Sequence, residues 1–370
     1  MREKKKILLV ATEYAPGMIP FATTIINSLA TDNRFVVHCI CVCSNNKSYK
    51  GLIINTANTS FIDYPSSKLK RILYKIWPKS IINEITKIQK QYNPHIIHFL
   101  TGDFSLALFI RFFNKNNFCY TIHDLQPHER KKISFVRWVF RQILESGYNT
   151  MHRKIGNLTT SSRYQFDLLN RLYPSKNVQY TPFPTLVTDN VAKGTNSVPE
   201  LEKEHPYILF FGRVLPYKGT DLLISAYKEI YKEFDAKLVI AGPGTDAYET
   251  QNENIIRINR FIDDSEIAFL FNNAKFIVYP YISATMSGVL SLAFYFNKIA
   301  LLSDVPFFKE YDCENTFYFK TGNISDLKNK MKALLTDNPS ASNLCYNRFY
   351  SKHSLNDAYL DFYNTVKYSD

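Results

Sequence analysis

Two cations lie in one short segment that follows a predicted strand and precedes a predicted helix. The segment reads Phe211-Gly-Arg-Val-Leu-Pro-Tyr-Lys-Gly-Thr220, so Arg213 and Lys218 both project from a strand-to-helix connection. Gly212 allows the sharp backbone turn that such a connection needs. Ligands of open α/β sheets bind at the carboxyl ends of the strands. Two cations beside a helix N-terminus there could hold a diphosphate. The segment therefore predicts a site for a phosphorylated ligand.

Two further loops are predicted at the same edge of the sheet. Ala241-Gly-Pro-Gly244 ends a strand, and a longer loop from Pro280 to Gly288 ends where a helix begins. The backbone N–H groups of Ser287 and Gly288 would be free there to bind an anion. We expect the three loops to contribute to one site.

The elements that must position these loops alternate between short apolar strands and helices, which is the signature of a doubly wound parallel sheet. In the first half the predicted strands are Lys6–Ala11, Arg34–Cys43, His95–Leu100, Phe118–Ile122, Asn157–Ser161 and Val178–Tyr180. In the second half they are Tyr207–Phe211, Lys237–Ala241, Ile255–Asn259, Phe276–Tyr279 and Ile299–Leu302. Helices are predicted over Asp221–Phe234, Asp264–Asn272, Gly288–Phe296, Asn323–Leu335 and Asn356–Lys367. The fold class is therefore α/β, with two Rossmann-like domains.

The chain length of 370 residues also favours two domains, since a typical domain has about 150 residues. Residues 187–206 are polar and have no hydrophobic period, so they are interpreted as a linker. This places the first domain at 1–186 and the second at 207–348, and a C-terminal helix within 349–370 is expected to cross back to the first domain.

Cysteine usage and hydrophobic runs indicate a reduced, cytoplasmic protein. Six cysteines in 370 residues are too few for a secreted disulfide scaffold. Cys39, Cys41 and Cys43 alternate with apolar residues and are expected on one face of a buried strand. The apolar run after the basic start is too short for a signal peptide. Residues 276–297 carry no charge but are interpreted as a buried strand, a loop and a packed helix rather than a membrane span.

The formal net charge of +12 is concentrated in the first half of the chain. Residues 1–185 hold 26 Lys and Arg against 10 Asp and Glu, whereas the remainder holds 19 against 23. Two stretches, Lys68–Lys90 and Arg130–Arg141, combine basic residues with Trp, Phe and Ile. This combination fits an anionic membrane surface. It also fits a nucleic-acid surface or an ordinary solvated helix face.

The order and spacing of these motifs resemble family 4 glycosyltransferases, whose GT-B fold has two Rossmann-like domains facing an interdomain cleft. The second half carries the donor-side resemblance through Gly212-Arg213, Lys218-Gly219, Ala241-Gly-Pro-Gly244, Pro280–Gly288 and Asn297-Lys298. The first half carries the acceptor-side resemblance through Thr121-Ile-His-Asp124, Pro127-His128, Thr160-Ser-Ser162 and Thr181-Pro-Phe-Pro184. The resemblance spans about residues 6–365.

The resemblance implies roles for individual residues. Arg213 and Lys218 would neutralise the leaving nucleoside diphosphate, and His123 would orient the reacting sugar or the acceptor hydroxyl. The remaining donor-binding residues would be Gly212, Gly242, Asn259, Arg260, Thr285, Ser287, Gly288 and Glu310, with Asp124 and His128 on the acceptor side. The sequence contains no Asp-x-Asp, which fits a metal-independent reaction, and no cofactor is expected beyond the nucleotide sugar that serves as substrate.

One departure from the family pattern concerns a pair of Glu residues separated by seven positions. Aligning Asn297-Lys298 with the usual Gly-Lys places Ala284 and Leu292 at those positions, and residues 267–309 contain no Glu at all. Some members of the branch with Ser-Gly-Val at this point also lack the pair. Thr285, Ser287 and nearby N–H groups would then contact the sugar and phosphate, and Glu310 or Asp304 the ribose.

The resemblance implies a retaining glycosyltransferase that transfers a sugar from a nucleotide sugar to a lipid-linked or oligosaccharide acceptor in cell-surface polysaccharide synthesis. A lipid-linked acceptor would explain the basic first half, with peripheral attachment to the inner face of the cell membrane. The alternative is a non-catalytic GT-B protein that binds a nucleotide sugar or a partner glycosyltransferase. A nucleic-acid binder rests on charge alone, and no nucleic-acid motif supports it.

Overall fold

The computed structural model describes residues 4–14, 18–43, 47–54, 58–101, 106–113, 115–125, 135–201, 206–244 and 252–366. The chain divides into two compact units. The first comprises residues 1–184 and 352–370, and the second comprises residues 185–351.

The first unit is built on a seven-stranded parallel sheet. Its strands are β1 (Lys5–Tyr14), β2 (Phe35–Cys43), β3 (Thr59–Asp63), β4 (Ile96–Phe99), β5 (Phe118–Thr121), β6 (Asn157–Thr160) and β7 (Asn177–Tyr180). Its helices up to residue 184 are α1 (Ile19–Ala30), α2 (Lys68–Ile76), α3 (Lys79–Tyr92), α4 (Ala107–Phe113), α5 (Phe135–Lys154) and α6 (Arg163–Leu172). The strand order is β3-β2-β1-β4-β5-β6-β7, and every adjacent pair is parallel.

The second unit repeats this plan with six parallel strands. They are β8 (Tyr207–Phe211), β9 (Lys237–Ala241), β10 (Ile255–Ile258), β11 (Ala274–Tyr279), β12 (Ala300–Ser303) and β13 (Thr316–Phe319), in the order β10-β9-β8-β11-β12-β13. The helices are α7 (Asp189–Ala192), α8 (Thr220–Lys228), α9 (Asp264–Asn272), α10 (Val289–Tyr295), α11 (Pro306–Lys309), α12 (Ile324–Asp337) and α13 (Leu344–Tyr350). Both sheets have the doubly wound strand order of a Rossmann fold, which confirms the predicted fold class.

The apolar strands are buried on both faces, as parallel sheets require. Along β1, Ile7 and Leu9 belong to one core cluster and Leu8 and Val10 to another. Cys39, Cys41 and Cys43 are buried in the first of these clusters, so the prediction of a shared strand face is confirmed. The last helix, α14 (Lys352–Thr365), packs into that same cluster through Leu355, Tyr359, Phe362 and Tyr363.

Three differences from the sequence interpretation concern the edge strands, the linker and the helix predicted over Asp221–Phe234, which ends at Lys228. Strands β3 and β13 were not predicted; both are short edge strands, and their residues are mostly half-buried. Residues 187–206 were predicted as a linker, but Val191, Val198 and Leu201 are buried in the core of the second unit. These three apolar residues therefore anchor the otherwise polar segment to the core of the second unit.

The uncharged segment 276–297 forms β11, a loop and α10, as predicted. Its strand and helix are almost entirely buried. Within the described residues, no helix combines the length and apolar character needed to cross a bilayer.

Candidate functional site

The three predicted loops contact one another at the carboxyl edge of the second sheet. Strand β8 lies between β9 and β11, so the strand order reverses beside it, which is where open α/β sheets bind ligands. The Gly212 N–H donates to the Ala241 carbonyl at 2.9 Å. The Ile282 N–H donates to the Tyr217 carbonyl at 2.7 Å and joins the first loop to the third. The loops therefore form one backbone-linked surface.

Glycine is required where these loops approach most closely. Gly242 has a φ of +141°, and a Cβ there would lie 2.6 Å from the carbonyl carbon of Gly212. Gly219 has a φ of +64°, and a Cβ there would lie 3.1 Å from the carbonyl carbon of Pro280. No other residue combines this backbone conformation with the absence of a side chain. The Gly212 and Gly242 of the predicted donor site thus hold the loops together.

Lys218 is the buried cation of this surface. It is only 9% exposed, and its Nζ lies 5.1 Å from the centre of the Tyr281 ring. A Cβ at Gly212 would lie 3.4 Å from the same Nζ, so the ammonium group sits directly against the first loop. No carboxylate among the described residues forms an ion pair with it. A buried ammonium without a counter-ion is unfavourable, and an anionic ligand would remove that penalty.

Arg213, the second predicted cation, is exposed on the same loop. Within the described part of the chain its guanidinium forms no hydrogen bond or ion pair. It is therefore available to a ligand from the solvent side, whereas Lys218 lies beneath. Both cations of the predicted diphosphate site therefore lie on one loop, Arg213 at its surface and Lys218 buried beneath it.

The third loop presents Thr285 and Ser287 half-buried, and Gly288 is buried at the start of α10. Ser291 fixes this start, because its Oγ donates to the Gly288 carbonyl at 2.6 Å and accepts from the Leu186 N–H at 2.9 Å. Leu292, aligned with one residue of the missing Glu pair, is buried in the core. A carboxylate at that position would have no place in this packing.

Asn259 and Arg260 follow β10 and have structural partners. Asn259 accepts a hydrogen bond from the Gly244 N–H at 2.8 Å and so fixes the second loop. Arg260 uses all five of its N–H groups, four on the carboxylates of Glu200 and Glu266 and one on the Phe261 carbonyl. Its hydrogen bonds lower the pKa of both glutamates. With every donor engaged, Arg260 stabilises this edge, and its predicted contact with the donor stays a prediction.

The two carboxylates suggested for the ribose lie beyond β12, at the same edge. Glu310 directly follows α11 and is half-buried. Asp304 accepts hydrogen bonds from the Thr321 N–H at 2.8 Å and from its Oγ1 at 2.6 Å. These bonds lower the pKa of Asp304. Asp304 therefore holds the end of β13, and the predicted contact of Glu310 or Asp304 with the ribose stays a prediction.

His123 of the first unit follows β5 and is half-buried beside Phe21, with ring centres 4.5 Å apart. Its Nε2 donates to the Leu100 carbonyl at 2.8 Å, which leaves Nδ1 as the acceptor nitrogen of the neutral ring. Burial lowers the pKa of His123. Asp124 is exposed next to it, and His128 lies outside the described residues. His98, by contrast, is fully buried between Tyr363 and Thr121, at 2.8 Å from each hydroxyl.

One residue of this region was not found by sequence reasoning. The Gln165 amide donates to the His123 carbonyl and accepts from the Leu125 N–H, both at 2.8 Å, so it holds the backbone on either side of Asp124. Gln165 is three residues after Ser162, which caps α6. The Ser-x-x-Gln spacing signals a helix start, but the contact with a distant loop has no sequence signal.

Comparisons with known proteins agree with this arrangement. Residues 195–349 match the family model described as "Glycosyl transferases group 1". No curated protein matches the chain. HepE of Anabaena, solved with UDP-glucose, is 13% identical with a TM-score of 0.70 and is covered over 100% of its chain and 98% of this one. The likeness to HepE shows a shared fold, and the family match covers most of the second unit.

Two further structures have the same fold. Sucrose-phosphate synthase from Thermosynechococcus elongatus is 15% identical with a TM-score of 0.70. A glycosyltransferase from Rickettsia africae is 16% identical with a TM-score of 0.67. Each alignment covers 98% of this chain and 99% of the other. The family match covers the unit that contains Arg213 and Lys218, so the candidate GT-B donor site lies in the matched segment.

Proposed function

We propose that this protein is a retaining glycosyltransferase that transfers a sugar from a nucleotide-sugar donor to a lipid-linked or oligosaccharide acceptor in cell-surface polysaccharide synthesis. The observation that carries the proposal is the buried ammonium of Lys218, which has no carboxylate partner among the described residues and lies where the strand order reverses. HepE was solved with UDP-glucose and with UDP. These ligands of a protein with the same fold support a nucleoside diphosphate as the ligand class that we propose for this edge.

The proposed chemistry places the diphosphate on the loop after β8. Negative charge develops on the leaving diphosphate as the glycosidic bond breaks, and fixed cations stabilise that charge without having to reorganise. Lys218 supplies such a cation from beneath, and Arg213 supplies a second from the solvent side. In this proposal the two cations take the role of a metal ion. His123 would bind the acceptor or the sugar through Nδ1, since its Nε2–H is engaged.

The test is a thermal-shift screen with UDP, GDP, CMP and their sugars, because a specific ligand stabilises the folded protein by mass action. We expect one nucleotide to raise the melting temperature of the wild type, and Lys218→Met to abolish that shift. The matched control is Lys330→Met, an exposed lysine of the same unit. If no nucleotide stabilises the wild type, or if Lys218→Met keeps the full shift, the proposed donor site is wrong.

A specific observation also favours the non-catalytic alternative, namely the absence of Glu throughout residues 267–309. A scaffold and an enzyme differ in turnover. We expect Arg213→Ala and Lys218→Ala to eliminate sugar transfer with the donor found above. Donor binding by the wild type without transfer or hydrolysis would instead identify a nucleotide-sugar-binding scaffold.

We further propose that the protein is cytoplasmic and attaches peripherally to an anionic membrane surface through α2. The helix exposes an apolar row of Leu69, Ile72 and Leu73, which are 50% to 69% exposed, and Trp77, which directly follows the helix, is 41% exposed. Leu69 is three and four residues before Ile72 and Leu73, so the three side chains share one face of the helix. An exposed apolar row of this kind indicates a surface that is covered in use.

The opposite side of α2 attaches it to the unit, and its flanks are basic. Tyr74 is buried and packs edge-on against Tyr64, with ring centres 5.2 Å apart. Lys70 is exposed beside the apolar row, whereas Arg71 lies over the Tyr64 ring and donates to the Pro65 carbonyl. A helix with an apolar face bordered by cations fits the boundary between lipid headgroups and acyl chains. Each such cation contributes about 1 kcal/mol toward anionic lipid.

The membrane part is tested by flotation with vesicles of phosphatidylglycerol and phosphatidylcholine. We expect the wild type to float at low salt, and the triple variant Leu69→Ser, Ile72→Ser, Leu73→Ser to remain in the soluble fraction. Phe261→Ser is the control, since Phe261 is equally exposed in the second unit. Equal flotation of wild type and triple variant would exclude α2 as the attachment, whatever the result of the donor screen.

A further inference from the structure

Two thiols and a carboxylate converge in the second unit, away from the candidate donor site. The Sγ atoms of Cys313 and Cys345 and a carboxylate oxygen of Glu314 all lie within 4.8 Å of one another. The Cys345 thiol donates to Glu314 Oε2 at 3.4 Å. Cys345 is fully buried, Cys313 is half-buried and Glu314 is exposed. The cluster is thus open to the solvent at Glu314 and partly at Cys313, and closed at Cys345.

The separations within this cluster suit a shared metal ion. Thiolate and carboxylate ligands of a tetrahedral zinc ion lie about 2.3 Å and 2.0–2.2 Å from it, which places the ligand atoms roughly 3.5–3.8 Å apart. The present distances of 3.4 Å and at most 4.8 Å need only side-chain adjustments to reach this geometry. Thiolates select soft or borderline ions such as Zn²⁺ over Mg²⁺ and Ca²⁺.

The backbone that carries the three ligands is already held in place. Asn315 is fully buried; its Nδ2 donates to the Ser342 carbonyl at 2.8 Å, and its Oδ1 accepts from the Ser342 N–H at 2.7 Å. Thr316 Oγ1 accepts from the Cys313 N–H at 2.9 Å. The turn with Cys313 and Glu314 is therefore fixed to the segment that leads into Cys345. Such preorganisation reduces the ordering that ion binding requires.

We propose that Cys313, Glu314 and Cys345 form a binding site for a zinc-like ion, with solvent water in the fourth position. On binding, Zn²⁺ displaces the protons of both thiols, which pass to the solvent, and no electron transfer takes place. The site precedes β13, at the amino edge of the sheet, so it lies opposite the loops with Lys218. This inference does not rest on the proposed function.

The bound ion would join the turn before β13 to the first residues of α13. That helix packs on α10, where the Phe349 ring lies 5.9 Å from the Phe294 ring, centre to centre. Helix α10 follows the loop with Thr285 and Ser287. By fixing α13, which packs on α10, the ion would therefore stabilise the helix that anchors this loop. The expected effect is a higher unfolding temperature of the second unit, without a direct contact with substrate.

The test is titration of the full chain, kept reduced with a phosphine, with Cd²⁺ as an optical probe for thiolate ligation and with Zn²⁺ as competitor. We expect one equivalent of Cd²⁺ to produce the thiolate charge-transfer absorption. Cys313→Ser and Cys345→Ala should weaken binding at least about tenfold. Glu314→Gln changes an exposed side chain and keeps the test valid if the cysteine variants fail to fold. Cys119→Ala, at a buried cysteine of the first unit, is the matched control and should bind as the wild type does.

Three results would overturn the proposal. The first is the absence of a one-equivalent endpoint in the wild type. The second is unchanged Cd²⁺ affinity in Glu314→Gln together with whichever cysteine variant folds. The third is formation of a Cys313–Cys345 disulfide by oxidised glutathione at the same rate with and without equimolar Zn²⁺, because bound zinc would protect both thiols.

Discussion

Replacement of Gly242 by alanine tests whether the close packing of the loops, and not merely their sequence, creates the proposed donor site. The added Cβ would lie 2.6 Å from the Gly212 carbonyl carbon and would force the loops after β8 and β9 apart. The φ of +141° adds strain of about 1–3 kcal/mol for any residue other than glycine. Since a carbonyl group cannot rotate away like a flexible side chain, we expect a total destabilisation of at least about 3 kcal/mol.

A comparison with Gly322→Ala separates the cost of the strained backbone from the cost of the steric overlap between the added Cβ and the Gly212 carbonyl. Gly322 has a φ of +76°, but a Cβ there would meet nothing within 4 Å, so Gly322→Ala reports the strain alone and should cost about 1 kcal/mol. Urea unfolding of both variants gives the two free energies of unfolding. Nucleotide-induced thermal shifts should be lost only in Gly242→Ala, because Gly212 lies against the Nζ of Lys218. Equal destabilisation of the two variants, or a normal nucleotide shift in Gly242→Ala, would refute this reasoning.

Three further substitutions address single interactions. Arg260→Lys removes a five-bond fork that an ammonium cannot reproduce; we expect a lower urea midpoint, with nucleotide affinity of the folded protein unchanged. Asp32→Asn removes a carboxylate whose pKa is lowered to about 2, chiefly by hydrogen bonds from Arg34; we expect a loss of about 1 kcal/mol at neutral pH, since the partner is partly exposed. His123→Gln keeps an N–H that can reach the Leu100 carbonyl but removes Nδ1; we expect normal stability and transfer slowed at least about tenfold.

For each of these variants, one result would contradict the prediction, and for Asp32→Asn that result is the direction in which stability changes with pH. A carboxylate with a lowered folded-state pKa stabilises the protein above its unfolded pKa, and this contribution disappears as the pH falls through the folded value. For Asp32 the window runs from about pH 4 down to about pH 2, so the wild type and Asp32→Asn should converge there. Failure to converge would contradict the assignment. For Arg260→Lys, weaker nucleotide binding with unchanged stability would instead support a donor contact. For His123→Gln, an unaltered transfer rate would remove His123 from the site.

The sequence alone determined the fold class, because an apolar run covered on both faces is recognisable without any partner. β8 and β9 have the predicted bounds, Tyr207–Phe211 and Lys237–Ala241. Edge strands such as β3 and β13 were missed since they are only half covered and lack that uniform apolar character. The order of the glycine and cation motifs also placed the candidate donor loops at one sheet edge.

Only the tertiary structure decided which of these side chains are paired, which are buried and which are exposed. Arg213, Lys218 and Arg260 are all cations in loops after strands, yet Arg260 is engaged by two carboxylates, Lys218 is buried with no carboxylate partner among the residues that the structure describes, and Arg213 is exposed. Of the two carboxylates that bind Arg260, Glu200 lies 60 positions away in the chain, and Gln165 lies 42 positions from His123. The pairing and burial of a side chain depend on which segments come into contact in the folded chain. The local sequence around a residue does not specify those contacts.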